Sequence, residues 1–246
     1  MSVRWAQLRR IIRARVSTSP AIYLPLRQLF TSAIGVVHED TELLIEGYPR
    51  SGNSFAEAAF RLAQPEPVGL AHHTHAAAQV LAAAKWNVPT LLLIREPLDA
   101  ARSLMMHHPA LFTPAKCLKE YIVFHEAILP IRSKYLLARF ETVTRDFGQV
   151  MVALNATFGT QFEIFEHSKE NEKAAFALLN QLSRERGTVT DEGEPYSPDR
   201  DDAFRTSRER EKQRVRAAFE HPKLDQLRRR AEASYRRMLE SSGAIV

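Results

Sequence analysis

A single cysteine, Cys117, stands in 246 residues, so no disulfide framework can form within the chain. The expected place for that thiol is the core or a helix face. No uninterrupted apolar run approaches the roughly 20 residues that span a bilayer, and the first residues lack the apolar centre of a secretory signal. The expected location is therefore the cytoplasm. Zinc-finger spacing and a basic patch interleaved with aromatics are both missing, which removes the usual signatures of nucleic-acid binding. No internal repeat is visible either. What remains is 45% hydrophobic residues, enough for a sizeable core, and a net charge of +5, which suits a protein that handles anions. The length fits one large α/β domain.

The most informative stretch is 43–55. Leu43-Leu44-Ile45 reads as a short buried strand. Gly47, Pro49, Ser51 and Gly52 break it, and Phe55 to Ala63 supplies helix formers with apolar residues at 55, 58, 59 and 62. Strand, small-residue loop and helix together form a context in which backbone N–H groups and a helix N-terminus receive a phosphate. Gly47, Gly52 and Ser54 match the nucleotide-binding pattern G-x-x-x-x-G-K-[ST], but Asn53 occupies the lysine position. That lysine reaches the β- and γ-phosphates, so its replacement argues against an ordinary kinase or ATPase. Arg50 is the only cation in the loop.

Around this stretch the pattern alternates. Residues 2–16 are basic and amphipathic, with Trp5, Leu8, Ile12 and Val16 on one helical face. They predict a helix packed on the domain, with a peripheral membrane contact as the other reading. Residues 1–40 are thus an N-terminal extension and 41–246 the domain. Further strands are expected over 68–71, 90–94 and 135–138, and helices over 76–86, 97–107, 114–131, 141–158 and 169–186, with a terminal helix from Leu224 to Met238. Residues 187–200 read as a long polar loop, and 187–212 as a mobile cover. Strands alternating with helices give an α/β fold, a mainly parallel sheet flanked by helices.

Pro49-Arg50-Ser51-Gly52-Asn53-Ser54-Phe55 resembles the Pro-Lys-Ser-Gly-Thr-Thr-Trp loop of the sulfotransferases that use 3′-phosphoadenosine 5′-phosphosulfate (PAPS). Leu91 to Arg95, then Pro97 and Ser103, resembles the same family's strand ending in Arg-x-Pro, with a serine eight residues after the arginine. Arg139-Phe140-Glu141-Thr142-Val143 is similar to its Tyr-Glu-Asp-Leu segment. The resemblance covers 42–162 and implies a P-loop NTPase-like sulfotransferase fold. It implies that PAPS is bound, leaving PAP as product, by Arg50, Ser51, Gly52, Asn53, Ser54 and Phe55 at the 5′ end and by Arg95 and Ser103 at the 3′-phosphate.

Phe55 stands near the adenine or anchors the helix. His73-Thr74-His75 resembles the family's Lys-Thr-His, which makes His75 the base toward the acceptor hydroxyl and Arg50 the catalytic cation. Arginine stabilises charge but is a poor proton donor. The family's C-terminal Arg-Lys-Gly-x-x-Gly-Asp-Trp-Lys segment is missing, and Arg205, Arg208 or Lys212 would stand in for it.

Other candidates for the base are His73 and Glu57, the latter expected on a solvated helix face. His73 and His75 could share a metal, but no carboxylate falls at a recognisable ligand spacing, and no metal is expected. The expected acceptor is a small-molecule or glycan hydroxyl, on a carbohydrate or lipid. A divergent P-loop nucleotide kinase and a non-catalytic nucleotide-binding or scaffold protein are the alternatives. The oligomeric state is not legible.

Overall fold

The computed structural model describes residues 16–30, 35–186, 202–241 and 245–246, with the backbone alone for 30 and 202–208. Four strands, β1 (Leu43–Gly47), β2 (Leu70–His72), β3 (Thr90–Ile94) and β4 (Leu136–Arg139), form one parallel sheet in the order β2-β1-β3-β4. Every residue of β1 and β3 is buried. These central strands are covered on both faces, which is why they read as largely apolar runs. Alternate residues feed two cores: Leu44, Leu92, Ile94 and Leu137 on one face, Leu43, Ile45, Leu91, Leu93 and Leu136 on the other.

Ten α-helices are described: α1 (Pro20–Phe30), α2 (Asn53–Ala63), α3 (Ala77–Trp86), α4 (Pro97–His107), α5 (Pro114–Ile128), α6 (Phe140–Arg145), α7 (Phe147–Phe158), α8 (Lys169–Glu185), α9 (Asp202–Phe219) and α10 (Asp225–Glu240). The expected strand 90–94 and helix 97–107 match in full; Pro97 opens α4, and the Glu96 side chain accepts from the Asp99 N–H. The expected helix 114–131 stops at Ile128, and the chain tightens into a 3-10 segment, Leu129–Lys134, because Pro130 has no N–H to continue the ladder. The expected helix 141–158 is two helices. Asp146 leaves helical geometry (φ −154°, ψ 84°), and its side chain caps α7 through the Gln149 N–H.

Two helices escaped the sequence reading. α1 carries Pro25 in its interior, and α9 is dominated by charge. The expected loop 187–200 and basic segment 2–15 lie outside the described residues. Tyr23, Leu24, Val36 and Val37 share a core with Leu44. Gln79 ties the chain before β1 to α3: its Oε1 accepts from the Val37 N–H (2.9 Å), and its Nε2 donates to the Gly35 carbonyl (2.7 Å). At the other edge, residues 245–246 pair with β4, Val246 N donating to the Leu137 carbonyl at 3.0 Å.

From β1 the chain moves to β2 on one side and reaches β3 on the other. The sheet therefore reverses its order between β1 and β3, and the crevice beyond their carboxyl ends is where open α/β sheets bind ligands. Gly47 ends β1 there, and a Cβ on it would sit 2.5 Å from the Leu93 carbonyl oxygen. Gly47→Ala must push two central strands apart. The expected loss is about 1–3 kcal/mol, read as a lower urea midpoint; an unchanged midpoint refutes the close packing of β1 on β3.

Candidate active site

The loop between β1 and α2 is built from backbone conformations that side chains seldom adopt. Gly52 has φ 95°, and Arg50, which carries a side chain, has φ 72°. Such positions persist only where surrounding contacts hold them. Here the Asn53 amide Nδ2 donates to the Tyr48 carbonyl at 3.2 Å, and Tyr48 anchors itself by donating its hydroxyl to the Cys117 carbonyl at 3.0 Å. Asn53 thus turns inward and braces the loop. α2 opens with no side-chain cap, so its first N–H groups lack intrahelical acceptors. The Ser51 hydroxyl is buried with no partner among the described residues.

Phe55 points into the second core, 7% exposed, with its ring centroid 5.6–6.4 Å from those of Phe147, Phe165, His167 and Phe176. Of its two expected places, it occupies the helix-anchoring one.

Two arginines meet beside the loop. Arg95, at the end of β3, donates Nη1 to the Arg50 carbonyl at 3.0 Å, while Arg50 Nε donates to Ser103 Oγ at 3.1 Å. Tyr121 donates its hydroxyl to the Arg95 carbonyl at 2.8 Å, and the Arg95 guanidinium lies 4.0 Å above the Phe140 ring. Burial pushes Arg95 down from the usual guanidinium value; Asp99 opposes this and Arg50 adds to it. Among the described residues neither Arg50 nor Arg95 makes an ion pair. Glu141 and Glu96 also act on Arg95 by charge, without a direct ion pair; two partly buried cations so placed suit an anion.

Glu46 was not singled out in the sequence reading. It is fully buried in β1. One oxygen accepts from the Gly47 N–H (3.0 Å); the other accepts from the Thr74 N–H (3.0 Å), the Thr74 hydroxyl (2.8 Å) and the His75 N–H (3.0 Å). Burial raises its pKa, but the hydrogen bond and charge from His75, with the Gly47 and Thr74 bonds, bring the net value below the ordinary one. The visible signal was a glutamate inside an apolar run. This carboxylate pins the segment after β2, where His73 and His75 both have positive φ, 58° and 49°. His75 Nδ1 lies 2.8 Å from the Gly47 carbonyl and 3.4 Å from Glu46. A carbonyl only accepts, so Nδ1 carries a proton; in the neutral ring Nε2 is then the acceptor nitrogen, the tautomer a base requires.

Glu57 is a correction. Expected on a solvated helix face, it is 1% exposed, because α2 is covered by α8 and by the segment after β2. Arg61 Nε donates to it at 2.9 Å and Arg186 Nη1 at 2.9 Å; His72 Nε2 lies at 3.3 Å and His73 Nδ1 at 3.2 Å. Burial raises its pKa; hydrogen bonds from His73 and Arg186 and the charges around it outweigh this and hold it far below the carboxylate range. So tightly held an anion is a poor proton acceptor. Glu57, His72 and His73 place ligand atoms within 4.8 Å of one another. A carboxylate is therefore near the histidines in space, though not in sequence. Two guanidinium groups already neutralise it, which disfavours a further cation.

Lys212 pairs with Glu209 at 3.2 Å on an exposed helix face; the side chains of Arg205 and Arg208 lie outside the described residues.

Burial and charge give the fold an acid-labile character. His72, lowered by burial to about 3, and His125, lowered by burial to about 4, are neutral when folded. The unfolded chain takes up protons near pH 6.5, so stability present above that pH falls as pH drops toward those values. Glu46 and Glu57, also lowered, add a second loss below about pH 4.5. The melting temperature should fall between pH 7 and pH 5 and fall more steeply below; a flat profile from 7 to 5 contradicts the burial of neutral His72 and His125.

No family model matches the chain, and no curated protein matches it in sequence. Among solved structures it is similar to mouse sulfotransferase SULT7A1 complexed with PAP, at 16% identity over 67% of this chain and 70% of that one, with a TM-score of 0.39. A likeness that distant leaves the site's own residues to carry the function.

Proposed function

We propose that the chain is a sulfotransferase that uses PAPS as donor and a carbohydrate or lipid hydroxyl as acceptor. One observation carries this reading. The two stretches that resemble PAPS-binding motifs, 45 residues apart in sequence, meet through Arg95 Nη1 on the Arg50 carbonyl. Arg50 in turn reaches Ser103, the serine of the second motif. This convergence lies at the reversal point between β1 and β3. The donor set fits a ligand with negative charge at both ends: two guanidinium groups with no direct ion pair among the described residues, a serine hydroxyl, and a helix start with open N–H groups.

PAPS supplies a sulfuryl group already activated on a phosphate oxygen. Sulfuryl transfer, like phosphoryl transfer, demands aligned atoms and stabilisation of spread negative charge. The N–H groups of Ser51 to Ser54 and the Ser54 hydroxyl hold the 5′-phosphate. Arg50 faces the bridging and sulfonate oxygens and stabilises their charge without giving up a proton. Arg95 and Ser103 hold the 3′-phosphate; Ser103, accepting from Arg50, still has its O–H to donate. His75 takes the acceptor's proton at Nε2, and Glu46 fixes the ring's tautomer and offsets the charge that forms. A kinase reading needs a carboxylate for Mg²⁺, whereas Arg95 follows β3 and the Glu46 oxygens are engaged by the protein's own donors.

Thermal melting with PAP, with ATP–Mg²⁺ and with neither tests the donor. Saturation at 100 times Kd adds about 2.7 kcal/mol of stability, and the shift with PAP should vanish in Arg95→Ala. A shift with ATP–Mg²⁺ alone moves the reading to a kinase. His75→Ala should keep the PAP shift and lose transfer by about 10²–10⁴-fold; unchanged transfer removes His75 as the base.

A further inference from the structure

We propose that α1, together with the arginine-rich residues before it, docks on the surface of a bilayer that contains anionic lipid. The helix has two faces. Tyr23 and Leu24 are buried in the first core, and Val16 packs against the same core. On the other side Ile22, Pro25 and Leu29, at i, i+3 and i+7, are exposed. Ile22 is 51% exposed; Leu29, at 78%, is the most exposed large apolar side chain among the described residues. The other exposed residues described on the helix, Ala21 and Gln28, carry no charge. Single apolar residues on a surface need no explanation, but a row of them along one helix face does.

The helix is tied to the domain. Tyr23 donates its hydroxyl to the Thr74 carbonyl at 3.3 Å, and the Ala78 N–H donates to the Ser17 carbonyl at 2.8 Å. Both bonds reach the stretch that leads from β2 into α3, so the outer face of α1 keeps a fixed orientation.

Charge says what covers that face. Residues 1–38 hold six arginines (Arg4, Arg9, Arg10, Arg13, Arg15 and Arg27) and no lysine, aspartate or glutamate. Their +6 exceeds the +5 of the whole chain, so the other residues together sum to −1. A second copy of the chain would bring the same positive charge to the contact and be repelled. Residues 2–15 laid over α1 would find no carboxylate on it for their arginines. A bilayer with anionic headgroups meets both needs: it attracts the arginines, and its interface receives the apolar row. In sequence Trp5, Leu8 and Ile12 recur at the spacing of one helical face among those arginines, the composition of a segment that lies in the headgroup layer. No helix among the described residues is long and apolar enough to cross a membrane, so the contact is with one surface.

This inference does not rest on the PAPS reading. The test is sedimentation of the full chain with vesicles of phosphatidylcholine alone and of an equal mixture of phosphatidylcholine and phosphatidylglycerol. The chain should bind the mixed vesicles, ignore the neutral ones, and be released as salt is raised from about 0.1 M to about 1 M. Arg9→Gln with Arg10→Gln should weaken binding about 10-fold or more. Ile22→Ser with Leu29→Ser should also weaken it about 10-fold or more, with an unchanged melting temperature. Equal binding to both vesicles, binding to neither, or binding unchanged by the α1 pair overturns the proposal. So does a melting temperature lowered by that pair, which assigns the face to residues 2–15, or a dimer in solution that the pair dissolves, which assigns it to a second copy. Vesicle binding lost in Arg95→Ala places the lipid phosphate at the loop and overturns it equally. A PAP shift without vesicle binding leaves the PAPS reading standing and removes this one; vesicle binding without a PAP shift does the reverse.

Discussion

A carboxylate with no access to water, Glu46, sits in the middle of the central sheet. Removing such a charge from solvent carries a penalty of several kcal/mol unless every lone pair finds a donor. In this fold the donors come from one place: the backbone and hydroxyl of Thr74 and the backbone and ring of His75, with Gly47 beside them. The segment after β2 is therefore not a loop free to choose its path. It must bend toward β1, and its two positive-φ histidines are part of that bend. The positions of His73 and His75 relative to the phosphate-type loop follow from where Glu46 stands.

Glu57 plays the matching role one helix away, by different means. Glu46 is satisfied chiefly by N–H and O–H donors, Glu57 by two guanidinium groups and two imidazoles. The first carboxylate orients His75 and the second orients His73, so two adjacent imidazoles, with ring centroids 5.7 Å apart, serve different partners. The site is a pair of carboxylate–imidazole units near one helix start, with two arginines joined at the loop.

Local pattern sufficed wherever the physics was local. β3 and α4 were legible because a four-residue apolar run, Leu91–Ile94, is followed by a proline that suits a helix start. The loop 47–54 was legible from its spacing of small residues, and the resemblance supplied Arg95 and Ser103. The two buried glutamates were not legible. Inside β1, Glu46 carries no mark that its partners lie 28 and 29 residues away. On α2, Glu57 looks like any solvent-facing residue until α8, more than a hundred residues later, folds over it and brings Arg186. Asn53 was assigned to the ligand, yet its amide spends one donor on Tyr48, an internal brace that spacing does not reveal. α1 and α9 were hidden by an internal proline and by a surplus of charge.

Arg186 follows the last turn of α8, and its charge reaches back 129 residues to Glu57. Thermodynamic linkage follows from that single contact. If the end of α8 moves, Glu57 keeps Arg61 but loses half of its guanidinium neutralisation, and the imidazoles beside it must gain protons or shift. Any ligand that prefers the loop with His73 in place therefore also prefers α8 closed on α2, and by reciprocity anything that holds the end of α8 strengthens that ligand's binding by the same factor. The end of α8 is in this sense a remote control on the protonation of the site.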